Sequence, residues 1–156
     1  MTPRAILIAG LGGTCGDDRA GWHVVERIEA RLAPATRRRL RLEKLASPAD
    51  LLNVLGDCEQ LFLIDACQGL TTIGQVLQLR WPARELLQTR HAFGHNLSLA
   101  QVLDIAGQLG TLPAHCELWC IEGAQFELKQ SLTPSVAAAA DHVAENIIAS
   151  LARSPP

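Results

Sequence analysis

Three groups of side chains have types and spacing that could do chemistry. The first is Gly10-Leu11-Gly12-Gly13-Thr14-Cys15-Gly16-Asp17-Asp18, a glycine-rich loop ending in two carboxylates. The second is Asp65, which closes the apolar run Leu61-Phe62-Leu63-Ile64. The third is Arg90-His91-Ala92-Phe93-Gly94-His95-Asn96, which supplies two imidazoles. An aspartate ending so apolar a run is partly desolvated and needs a hydrogen-bonding or charged partner to stay ionised. Two carboxylates and an imidazole form a ligand set that could hold a divalent metal with positions left open. Plainer readings stand beside this one. Asp18 also suits a helix N-terminus, Asp65 could cap a neighbouring turn, and a loop histidine is often merely exposed.

Two rival chemistries touch the same residues. A glycine loop after a first strand invites a nucleotide-phosphate site. The spacing fails, because GxGxxG counted from Gly10 needs glycine where Cys15 stands, and no Gly-Lys-Ser/Thr follows. Asp17 and Asp18 would also repel a pyrophosphate. A nucleophilic cysteine is the second rival. Cys15 precedes a helix N-terminus, which lowers a thiol pKa, but flanking aspartates oppose a thiolate there and at Cys67.

These residues need elements to position them. Ala5 to Gly10 is a short apolar run that predicts a buried strand. Gly21, Val24, Val25, Ile28 and Leu32 recur at helical spacing. Arg39 to Leu45 alternates weakly as a second strand. Ser47 and Pro48 introduce a helix through Leu51, Leu52 and Leu55. Leu61 to Ala66 is the strongest strand, and Gln75 to Arg80 follows as another. Pro82 to Leu87 suits a short helix, and Gln88 to Asn96 reads as a polar loop. Leu97 to Leu109 is helical up to Gly110. Cys116 to Ile121 is a late strand, and Thr133-Pro134 caps a last helix through about Leu151.

That alternation predicts a single α/β domain over residues 1–156, a three-layer αβα sandwich around a mostly parallel sheet. In a doubly wound sheet ordered 2-1-3, strands one and three are neighbours, and a crevice opens at their carboxyl ends. Asp18 and Asp65 then face one crevice although far apart in the chain. His23, His115 and His142 read as surface residues, and Trp22, Trp81 and Trp119 as packing groups.

Composition agrees. The chain has 156 residues, 48% of them hydrophobic and 19% charged, with a net charge of −2. One well-filled core is expected, and disorder is excluded. Arg37-Arg38-Arg39 is the one basic run, too little for a nucleic-acid surface. No apolar run is long enough to span a membrane, and MTPRAILIAG does not read as a secretory signal. Five scattered cysteines without a CxxC pair argue against a disulfide framework or structural zinc, and point to a reduced, cytoplasmic protein.

At these residues the chain resembles the hydrogenase maturation endopeptidases, which process the large subunit of nickel–iron hydrogenases. Residues 6–21 look like the family's opening strand, glycine loop, acidic pair and helix. Leu63-Ile64-Asp65-Ala66 looks like its second signature. Gly94-His95-Asn96-Leu97-Ser98-Leu99 looks like its third, a histidine opening a helix. Leu132-Thr133-Pro134-Ser135-Val136 is similar to the motif before its last helix. The resemblance implies an αβα fold and an aspartyl-type, nickel-dependent endopeptidase. Its reaction would remove the C-terminal extension of a hydrogenase large-subunit precursor after nickel insertion. It implies Asp18, Asp65 and His95 as the catalytic and metal-contacting residues, with nickel supplied by the substrate. The expected partner is that precursor, with no nucleic acid and no membrane.

The chain departs from the family at Gly12-Gly13, where Gly-Asn is usual, and at Glu43-Lys44-Leu45-Ala46, where Asp-Gly-Gly-Ser/Thr is usual. The second departure is expected to alter the cleft rather than the fold. Because of it, a noncatalytic hydrogenase-assembly or binding protein on the same fold is the alternative, and a nucleotide-binding module a more distant one.

Overall fold

Strand formation starts where uninterrupted apolar runs can be buried on both faces. The computed structural model describes residues 5–87, 90–91, 97–128 and 131–153, with Leu87, Arg90 and His91 described by backbone alone. Strand β1 (Ala5–Leu11) and strand β3 (Cys58–Gln68) are such runs. They pair in parallel, with Gly10 opposite Ile64. Strand β2 (Leu40–Leu45) pairs with the other edge of β1, and strand β6 (His115–Glu122) with the other edge of β3, both in parallel. Strand β4 (Val76–Arg80) runs antiparallel to β6, so the sheet reads β2-β1-β3-β6-β4. The expected 2-1-3 order is therefore present. Beyond the end of β1, strand β5 (Arg90–His91) pairs antiparallel with β3, setting His91 opposite Cys67. The expected polar loop over 88–96 thus contains two strand residues.

Alternation along β3 divides the core. Phe62, Ile64 and Ala66 face helix α1 (Ala20–Arg31) and helix α4 (Pro134–Arg153), whose Val24, Ile28, Val136, Ala140, Val143 and Ile147 complete that layer. Leu61, Leu63 and Cys67 face helix α3 (Leu99–Gln108), with Leu51, Leu55 and Leu86. The result is the three-layer αβα sandwich. Burying both faces of β1 and of residues 61–66 of β3 is what lets these central stretches read as nearly apolar throughout.

Several boundaries differ from expectation. The helix expected through Leu55 is a 3-10 turn over Pro48–Asn53. Asp50 Oδ2 accepts from Ser47 N at 3.1 Å at its start, but Asp57 adopts a left-handed φ of 58° just beyond, and the chain must already be turning into β3. Pro34–Arg37 forms a short helix, α2, with proline in its first turn, where its missing N–H costs nothing. Helix α3 begins at Leu99 rather than Leu97, because Ser98 caps it. The Ser98 hydroxyl oxygen accepts from Gln101 N at 3.2 Å, and Gln101 Oε1 accepts from Ser98 N at 2.8 Å. His23 is not a surface group. It sits between α1 and α4, its Nε2 3.1 Å from Asp141 Oδ1, with Arg27 Nε on the same oxygen at 2.9 Å.

Candidate active site at the carboxyl ends of the strands

Helix α1 can reach the sheet because two glycines face each other. A side chain at Gly21 would strike the carbonyl oxygens of Leu11 and Ile64, and one at Gly10 would strike the carbonyl of Gly21. This contact brings the start of α1 over the ends of β1 and β3. The intervening turn is short. Gly12 leaves β1 with φ 146°, a conformation that L side chains rarely adopt. Its N–H donates to Leu45 O at 2.9 Å. Gly16–Arg19 then forms a 3-10 turn that carries both aspartates.

The two aspartates have different surroundings. Asp18 is half-buried and lies over the glycines, its Oδ2 3.0 Å from where a Cβ on Gly13 would be. The glycine loop therefore wraps the chain's own carboxylate, which leaves no cradle for a phosphate. Asp17 is fully buried. Its Oδ2 accepts from Ala124 N at 2.7 Å, Gln125 N at 3.0 Å and Thr133 Oγ1 at 2.8 Å, and its Oδ1 from Thr133 N at 2.7 Å. Four donors satisfy this carboxylate without any cation.

Asp65 is 7% exposed and stands opposite Cys120 in the β3–β6 ladder. By strand alternation it shares the α3 face with Leu63 and Cys67. Ile64, the residue before it, touches Gly21 of α1, and Asp18 lies three residues before Gly21. The structure thus places both predicted aspartates at the carboxyl ends of adjacent strands. His95 lies outside the described residues. The chain leaves the described region at His91, paired with β3 two residues beyond Asp65, and returns at Leu97, before α3 on that same face. Among the described residues, no three His, Cys, Asp or Glu side chains are gathered as a metal-binding set.

One buried acid escaped sequence reasoning. Glu122, 6% exposed, ends β6 and accepts from Leu70 N at 3.1 Å, Gly69 N at 3.3 Å and Cys67 Sγ at 3.7 Å. It organises the loop that follows Asp65. The available signal was the one used for Asp65, an apolar run, here Leu118 to Ile121, closed by an acid. Cysteine catalysis gains nothing from this neighbourhood. A hydrogen bond with Cys120, then burial, push the Cys67 thiol far above its ordinary range, so it stays protonated.

The departure at Glu43-Lys44-Leu45 has a structural account that corrects the expectation. Leu45 is buried in the α3-side core, and its carbonyl accepts from Gly12 N at 2.9 Å and from Trp22 Nε1 at 3.1 Å. Lys44 Nζ lies 5.6 Å from the centre of the Trp22 ring and 3.3 Å from Glu26 Oε1. The segment is part of the packing, through Leu45 and the Trp22 contacts of Leu45 and Lys44.

The family model described as hydrogenase maturation protease matches residues 22–150, a span that holds Asp65 and His95 and begins after Asp18. No curated protein matches. Among solved structures, the hydrogenase maturating endopeptidase HybD from E. coli aligns at TM-score 0.76 and 27% identity, covering 95% of this chain and 92% of that one. A solution structure of an endopeptidase from Escherichia coli aligns at TM-score 0.77 and 25% identity, covering 94% and 91%. The [NiFe] hydrogenase maturation protease HycI from Thermococcus kodakarensis shares the fold at TM-score 0.68 and 21% identity, covering 97% and 94%.

Proposed function

The chain belongs to the hydrogenase maturation protease family, and from that premise we propose how it works on its substrate. It is a peptide hydrolase that removes the C-terminal extension of a hydrogenase large-subunit precursor. Asp18, Asp65 and His95 contact the nickel already inserted in that precursor, and cleavage follows nickel loading. The observation that carries this reading is the placement of Asp18 and Asp65 at the carboxyl ends of neighbouring strands β1 and β3. Such a crevice is where doubly wound folds bind their ligands. Oxygen and imidazole donors without thiolate suit a divalent ion held modestly, with positions left for the substrate's own ligands. Nickel is then cargo of the substrate and no resident of the enzyme, and the protein works where precursor and metal meet, in the cytoplasm.

The residues divide the labour by position. Asp65, near the floor of the crevice, presents a carboxylate from a rigid central strand. Asp18 presents a second from the turn above it. His95 is preferred over His91, whose backbone is committed to pairing with Cys67. His95 directly precedes the Asn-Leu that leads into the Ser98 cap of α3.

The experiment is processing of nickel-loaded and nickel-free precursor by purified enzyme. Asp18→Asn, Asp65→Asn and His95→Ala should each abolish cleavage of the loaded precursor, while His91→Ala retains most of it. Equal cleavage of nickel-free precursor would overturn the role of the metal. Loss in His91→Ala with retention in His95→Ala would show the wrong ring had been chosen.

A further inference from the structure

Strands β1 and β6 are not neighbours, because β3 lies between them. Yet the turn that leaves β1 is tied to the loop that leaves β6. All four hydrogen bonds to the Asp17 carboxylate come from that loop, through Ala124, Gln125 and Thr133. The tie is reciprocal, since Asp17 N donates to Gln125 O at 2.6 Å. It is also tightly fitted. A Cβ on Gly16 would strike Gln125 O, and one on Gly123 would come within 2.9 Å of Asp17 Cβ. The latch therefore spans the width of β3.

Thr133 explains a motif that the cleavage reading leaves unused. The sequence suggests that Thr133 caps α4. Its hydroxyl donates to Asp17 instead, at 2.8 Å, and its N–H donates to the other carboxylate oxygen. Thus Leu132-Thr133-Pro134, before the last helix, meets the acidic pair of the opening segment.

We propose that Asp17 is a positioning residue for Asp18: with Thr133 it latches the β6–α4 loop onto the β1–α1 turn and fixes the backbone from which Asp18 projects. The next links are on the same turn. Asp18 N donates to Cys15 O at 3.1 Å, and Asp18 O accepts from Gly13 N at 3.3 Å. Asp18 is thus held from behind by its own turn and from one side by the latch. Asp17 itself is fully buried and saturated with donors, so it takes no part in contacting the substrate. A displacement of about 1 Å at a reacting group can cost about a hundredfold in rate, which is the scale on which a loosened latch acts.

This inference rests on the proposed role of Asp18. The test measures kcat and KM for processing of nickel-loaded precursor, alongside the thermal unfolding midpoint, at a temperature where every variant is folded. Thr133→Val removes one hydroxyl donor and keeps the shape. It should lower kcat about tenfold while KM stays within about twofold, given the steep dependence of rate on placement. Thr133→Ser, which restores the hydroxyl, should recover most of that loss. Asp17→Asn should lower kcat further. If it does not fold, the Thr133 pair decides. Wild-type kcat in Thr133→Val, or a loss that Thr133→Ser does not recover, overturns the latch. The control is Asp18→Asn: if it processes precursor at the wild-type rate, the role of Asp18 falls first and the latch with it. If Asp18→Asn is inactive while Thr133→Val is not impaired, only the latch is wrong.

Discussion

Replacing Gly21 with alanine should pry helix α1 from the sheet. A Cβ there would sit 2.7 Å from the Ile64 carbonyl oxygen, 3.0 Å from the Leu11 nitrogen and hard against the Leu11 carbonyl oxygen. Comfortable contact for a carbon lies near 3.5 Å, so relieving the closest contact, with the Leu11 carbonyl oxygen, needs the helix to back away by roughly 1 Å. Every obstacle is backbone of β1 or β3, and no rotamer change can relieve it. Overpacking of this kind costs about 1–3 kcal/mol. Alanine returns about 0.8–1 kcal/mol of helix propensity over glycine. With backbone on all sides the upper part of the cost applies, leaving a net loss of about 1–2 kcal/mol. For a chain of this length that is a fall in melting temperature of about 2–8 °C. Gly107→Ala in α3 is the matched control, because nothing lies within 4 Å of its would-be Cβ. It should gain about 0.5–1 kcal/mol. Thermal and urea unfolding followed by circular dichroism would measure both. If Gly21→Ala melts with or above wild type, in step with Gly107→Ala, the reasoning about helix approach is refuted.

Three further outcomes follow from the same geometry. Leu45→Ala should cost about 2–5 kcal/mol, as a large-to-small change in the core, so installing Asp-Gly-Gly at 43 to 45 should lower the melting temperature sharply; an unchanged melting temperature would contradict the packing of Leu45. Lys44→Ala, which removes an exposed ion pair with Glu26, should cost less than about 1 kcal/mol in the same measurement. Burial holds the Cys116 thiol up at about 12, from an ordinary 9.0. Its folded state keeps a proton that the unfolded chain releases, so its contribution is whole below about pH 9 and declines as pH rises toward 12. Urea titrations at stepped pH should show that decline, and Cys116→Ala should make it shallower by that thiol's share, with the raised Cys67 thiol contributing the remainder.

The central architecture was legible because it rests on long apolar runs. Leu61 to Ile64 reads as a buried strand, and the 2-1-3 order then put Asp18 and Asp65 at the carboxyl ends of neighbouring strands without any view of the molecule. What failed was short-range. The 3-10 turn at Pro48–Asn53 carries leucines at helical spacing, yet it ends at Val54 and the chain turns through the left-handed Asp57 into β3. Strand β5 is two residues long, too short for any periodicity to register. The antiparallel direction of β4 depends on loop geometry that composition does not encode. Within the site, the difference between Asp17 and Asp18 could not be read from adjacent identical residues, since it lies in partners more than a hundred positions away. The same is true of His23, whose partner Asp141 lies on α4.

The two buried acids that hold the loops leave a signature in solvent exchange. Ala124, Gln125 and Thr133 donate their amides to Asp17, and Gly69 and Leu70 donate theirs to Glu122. None of these five amides belongs to a helix or a strand ladder, yet each is tethered to a carboxylate with little or no exposure to water. Their protons should exchange on the slow timescale of the strands rather than the fast one of ordinary loops. These two loop edges are then fastened to the sheet by carboxylates that water scarcely reaches, before any precursor arrives.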